Sequence, residues 1–83
     1  MSFGTNPFVK KAQASEQRAL DATDGLARER AHRDAAHQWD RAVAREPPGK
    51  RRDEYEACAV RNRVLADGEA EAARVAKRPV VLH

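Results

Sequence analysis

Pro47 and Pro48 stand side by side past the middle of the chain, with Gly49 directly after them. Consecutive prolines remove two backbone donors, and each drives the residue before it out of the helical region. No helix runs through such a point, so this chain must be built from two arms that meet at a corner. Both arms read as helix. Alanine supplies the largest share of their apolar residues, and it loses no side-chain entropy on entering a helix. In the first arm Phe8, Ala12, Ser15, Ala19 and Ala22 are separated by 4, 3, 4 and 3 residues, which is one face of a helix. Asn6-Pro7 begins it, with Asn as cap and Pro at the first helical position, where a missing N–H costs nothing.

A second stripe of Ala27, Ala31, Ala35, Trp39 and Ala42, flanked by Leu26, Ala36 and Val43, follows in a different phase. Extending the Phe8 stripe would turn Glu29 and Arg33 inward, so a bend at Thr23-Asp24-Gly25 separates two helices. Past the prolines, Tyr55, Cys58, Ala59, Asn62, Leu65, Ala66, Ala72 and Ala73 mark the buried stripe of a third. Acidic Asp53, Glu54 and Glu56 near its start and basic Arg74, Lys77 and Arg78 at its end match the helix dipole. Pro79 ends it and leaves the apolar tail Val80-Val81-Leu82.

The predicted fold is therefore all-α: one helical domain over residues 1–83, a small antiparallel three-helix bundle with helices at about 7–22, 25–45 and 50–77 and a tail at 79–83. The alternative is a long two-helix hairpin that dimerises to cover its stripe. Eighty-three residues lie near the size at which a single core is only marginally stable. Alanine buries little area, so the core is expected to lean on large anchors: Phe8, Leu20, Leu26, Trp39, Tyr55, Val64 and Leu65.

Chemistry is sparse. Glu29-Arg30-Ala31-His32 has the Glu-x-x-His spacing of di-iron bundles, but such a site needs two of these motifs and further glutamates. His32 and His37 point apart on a helix and cannot share an ion. The only serines, Ser2 and Ser15, lack a neighbouring base. Gly49-Lys50 is followed by Arg51, where a phosphate-binding loop has Ser or Thr. No enzyme, cofactor or metal is expected. Cys58 is alone, so no intrachain disulfide forms, and a reducing, cytoplasmic setting follows. Neither a signal pattern at Met1–Asn6 nor an apolar run of membrane-spanning length appears, and no membrane insertion is expected. Asn6-Pro7-Phe8 is also a tripeptide read by certain endocytic adaptor domains, but the helix cap accounts for it.

What remains is interaction. Charged residues make up 35% of the chain with a formal net charge of +3, both signs interspersed. Arg45, Lys50, Arg51 and Arg52 cluster at the corner, and Arg28, Arg30, Arg33 and Arg41 decorate the second helix. Phosphate binding by the corner cluster is the alternative function, and nucleic acid the less favoured partner because acids are interleaved and no stacking aromatics accompany the cations. The favoured function is that of a protein–protein docking module, an adaptor or accessory subunit. Its contact is expected in a groove around Leu26, Trp39, Leu65 and Ala66, or on the tail Val80, Val81 and Leu82, with another protein or a second copy as partner.

The segments Ala35-Ala36-His37-Gln38-Trp39-Asp40-Arg41-Ala42-Val43 and Pro48-Gly49-Lys50-Arg51-Arg52-Asp53-Glu54-Tyr55-Glu56-Ala57 resemble the second and third helices of microtubule-interacting-and-transport domains. They are also similar to tetratricopeptide-type hairpins, although the Leu-Gly pair of those repeats is missing and one repeat does not stand alone. The resemblance covers roughly residues 8–70. It implies an asymmetric three-helix bundle whose groove takes a short helical or extended peptide, and it assigns no binding residue.

Overall fold

The computed structural model describes residues 6–77. It contains three α-helices, α1 (Pro7–Asp21), α2 (Gly25–Arg45) and α3 (Lys50–Lys77). Among the described residues, no helix is long and apolar enough to cross a membrane. The chain turns between α1 and α2, so the two-helix hairpin is not adopted.

Local chemistry explains each boundary. The Asn6 side chain accepts from the Phe8 amide at 3.1 Å and donates to the Ala42 carbonyl at 2.8 Å. One residue thus caps α1 and clasps its start to the far end of α2. The first helix stops one residue earlier than the stripe suggested, because Ala22 takes up extended backbone as the C-cap. Asp24 then caps α2 by accepting from the Ala27 amide at 2.8 Å. At the corner Gly49 has φ +156°, a conformation that residues with a Cβ rarely adopt, and its carbonyl accepts the first hydrogen bond of α3 from Asp53 at 3.1 Å.

The central helix is α2, which packs on both neighbours; α1 and α3 keep their Cα atoms more than 8 Å apart. Ala12, Ala35, Trp39, Ala42 and Ala59 form the core cluster, with Phe8, Val9, Tyr55 and Cys58 packed against it. The Trp39 and Tyr55 rings pack against each other, tilted by 34° with centroids 5.4 Å apart. The core thus pairs small alanines from all three helices with the one large Trp39 side chain.

The large anchors depart from expectation. Leu20, Leu26, Val64 and Leu65 are exposed, Leu20 to 79% and Val64 to 63%. The cause is angular. Leu26 precedes Ala35 by two and a half turns, and Val64 lies two residues from both Asn62 and Ala66, so each points away from the buried line. Leu20 and Leu65 sit beside the seam that α1 and α3 leave unclosed. Ala72 and Ala73 are likewise exposed. Gly25, the first residue of α2, lies beside Glu69, so the last turns of α3 run past the bundle with no helix alongside to bury them.

Candidate functional site

Polar side chains in the interior are the first place to seek chemistry. Asn62 is 1% exposed. Its Nδ2 donates to Glu16 Oε2 at 2.8 Å and to the Cys58 carbonyl at 2.9 Å, while its Oδ1 lies 3.0 Å from His32 Nδ1. The same Glu16 oxygen accepts from Trp39 Nε1 at 3.0 Å and from Arg61 at 3.3 Å. One carboxylate from α1 therefore gathers donors from α2 and α3, across the gap those backbones leave. Burial pushes the Glu16 carboxyl up, but the bonds from Asn62, Trp39 and Arg61 and the Arg61 charge outweigh it and hold the pKa below its ordinary value. All three donors converge on the one oxygen, Oε2, which fixes the carboxylate as a tie between helices. Ser15, also buried, donates to Asp34 and accepts from Arg18 at 2.7 Å, which ties α1 to α2. Both constellations fasten helices together.

Glu29 and His32 do not share a ligand position: Glu29 pairs with Arg33 at 3.0 Å and His32 faces Asn62. Among the described residues no three His, Cys, Asp or Glu side chains converge as metal ligands. Cys58 is half-buried with Arg61 3.9 Å from its sulfur. A hollow on the outer α1/α2 face has a floor of Ala22, Ala27 and Ala31 rimmed by Arg18, Asp21, Arg30 and Asp34; it holds no buried titratable group.

The surface divides into three regions. Along the α2/α3 seam, Arg28 pairs with Glu69, Arg33 with Glu29 and Asp67, and Arg63 with Asp40, all at 3.0–3.2 Å. Two of the arginines that decorate α2 are thus salt-bridged. A second region is the outer face of α3. Val60 and Val64 are neighbours one turn apart, and Val75 lies three turns beyond Val64 on nearly the same line. All three are more than half exposed, and Leu65 flanks them.

The third region is the end of the bundle where the start of α1, the end of α2 and the start of α3 meet. The expected phosphate ligands Arg45, Lys50, Arg51 and Arg52 lie together there. Lys11 and Arg41 join them, which the sequence reading missed. Phe8 is the organiser: Lys11, Arg41 and Arg45 stand over its ring at 5.3, 5.6 and 5.8 Å from the centroid. The available signal was the spacing of four residues between Arg41 and Arg45, opposite a capped helix start that carries Lys10-Lys11.

The groove expected from Leu26, Trp39, Leu65 and Ala66 is not formed. Trp39 and Ala66 are buried, at 4% and 0% exposure, because they lie on the inward stripes of α2 and α3. Leu26 and Leu65 are exposed, Leu26 opposite the buried stripe of α2 and Leu65 at the margin of that of α3. Val80, Val81 and Leu82 lie outside the described residues. Comparison with protein-family models, with curated proteins and with solved structures gives no match to this chain.

Proposed function

We propose that this chain is a non-enzymatic docking module, an adaptor or accessory subunit of a cytoplasmic assembly, that receives an apolar helix of another protein along the outer face of α3. One observation carries the reading: the interior is alanine while the larger aliphatic side chains, Val60, Val64, Leu65 and Val75 among them, are turned to solvent. A small helical protein that hides methyl groups and displays isopropyl groups leaves most of its available hydrophobic free energy ungained. A partner helix laid into the Val60–Val75 line would recover it, with Gly68, beside which nothing lies within 4 Å of a built Cβ, as the point of closest approach. This places the contact on α3 and not in the inter-helix groove that the resemblance to peptide-binding bundles implies.

A photo-crosslinking residue at position 64, compared with one at exposed position 37 on α2, tests the proposal in the native cell. A discrete adduct at 64, absent at 37 and lost on Leu65→Gln, is the expected result. Adducts of equal yield at both positions, or none at 64, would overturn it. Sedimentation over a wide concentration range then tells a second copy of this chain from a foreign partner.

A further inference from the structure

We propose that the basic end of the bundle is a binding site for the phosphodiester backbone of duplex nucleic acid, read by charge and not by sequence. The observation is one of pairing. Six arginines elsewhere, Arg18, Arg28, Arg33, Arg61, Arg63 and Arg74, each hold a carboxylate. Of the six cations at this end, Lys11, Arg41, Arg45, Lys50, Arg51 and Arg52, none is in an ion pair among the described residues, although Glu46, Asp53 and Glu54 are close in sequence. All but Arg52 are exposed.

Three of these cations crowd one phenyl ring. Arg41 and Arg45, one turn apart on α2, form a like-charge pair that costs a few tenths of a kcal/mol on an isolated helix, and Lys11 adds a third positive charge to the same ring. Held over Phe8, the Arg41 and Arg45 guanidinium groups are exposed, and no carboxylate among the described residues pairs with them. An unpaired guanidinium keeps its fork of N–H donors available to grip phosphate oxygens two at a time. The first turns of α1 and α3 bring two positive dipole ends to the same place.

The occupant follows from what this end lacks. Among the described residues the exposed large aliphatic side chains, Leu20, Leu26, Val60, Val64, Leu65 and Val75, all lie outside it, so none of them is placed to enter the acyl layer of a membrane beside the cations. Among the described residues Trp39 is buried, Tyr55 is half-buried against it and the Phe8 ring is taken up by cations, so none of these aromatic rings is offered to unpaired bases. Arginine forks without base-stacking groups fit a paired, closely spaced row of phosphates.

Fluorescence anisotropy of the full chain with a random-sequence duplex tests the assignment. If about four phosphates are contacted, affinity falls on the order of a hundredfold between about 50 and 200 mM salt. Arg41→Gln with Arg45→Gln, which keeps the side-chain stems over Phe8, is expected to weaken binding at least about tenfold at low salt while the 222 nm helical signal holds. The control removes two equally unpaired cations elsewhere, Arg30→Gln with Lys77→Gln, and changes affinity far less. Equal loss from both pairs, salt-independent binding or no binding at low salt overturns the proposal. So does tighter association with phosphatidylserine vesicles, or with polyglutamate, than with the duplex; those results would assign the end to a membrane surface or an acidic protein.

Discussion

Glu16 is one of thirteen acidic residues, and it is the one through which all three helices meet. Its Oε2 takes hydrogen bonds from Trp39, Asn62 and Arg61, so replacing it removes the shared acceptor of three donors, two of them on buried residues. Its pKa is below the ordinary 4.5. A group whose folded-state pKa is depressed contributes stability that is fully present above the unfolded value and fades as pH falls through the folded one. The urea midpoint of the native chain should therefore decline as pH drops below about 4.5, and in Glu16→Gln that decline should be shallower, with lower stability at neutral pH. Parallel pH profiles for the two proteins would remove Glu16 from this role. Nothing in the sequence distinguished this carboxylate, because its importance comes from the meeting of α1 with α3 and not from its neighbours in the chain. Asn62, in contrast, was legible: a polar residue in register with Tyr55, Ala59 and Ala66 must be buried, and a buried amide needs partners.

At the scale of elements, the helices themselves were written in spacing and punctuation. Asn6-Pro7, Asp24 and Pro47-Pro48-Gly49 set the boundaries through capping and missing donors, which are local effects and so readable without a structure. The extent of burial along α3 was not, since it depends on where a different helix begins. Gly68 lies in the exposed stretch of α3, with nothing within 4 Å of a Cβ built on it. Glycine in a helix interior costs about 1 kcal/mol relative to alanine, so Gly68→Ala should raise stability by roughly that amount in urea titration. No gain, with an unchanged helical signal, would mean that this part of α3 is already frayed in the native chain. If the partner helix of the proposed docking face approaches there, the same substitution should weaken its capture while stabilising the free protein.

For the molecule as a whole, Trp39 is the one large apolar side chain that is buried among the described residues, at 4% exposure, and it touches both Tyr55 and the Glu16 network. Truncating a buried tryptophan to alanine costs about 3–5 kcal/mol. A domain of this length has a total stability of only about 4–12 kcal/mol. The small area that its alanine core buries puts this chain at the low end of that range, so Trp39→Ala should leave it largely unfolded or close to its midpoint in water, with loss of the 222 nm signal, whereas Trp39→Phe should fold with reduced stability. A Trp39→Ala protein as stable as the native one would show that alanine contacts alone hold the helices. Residue type misled the reading of the core here. Leu20, Leu26, Val64 and Leu65 were assigned to it because they are large and apolar, yet helical phase, not size, decides which side chain turns inward.

An interior lined with alanine has a consequence for how the chain can vary. Ala12, Ala35, Ala42 and Ala59 hold the smallest side chain that still favours helix: trimming one to glycine loosens the backbone, and enlarging one to valine or leucine levers two rods apart. Substitutions between related chains should accordingly be rarest at these inconspicuous positions, whereas the conspicuous leucines and valines outside are free to drift unless something rests against them. A survey of such substitutions would thus report on the outer surface what the isolated molecule cannot, by marking which of those side chains is held in place by contact with another molecule.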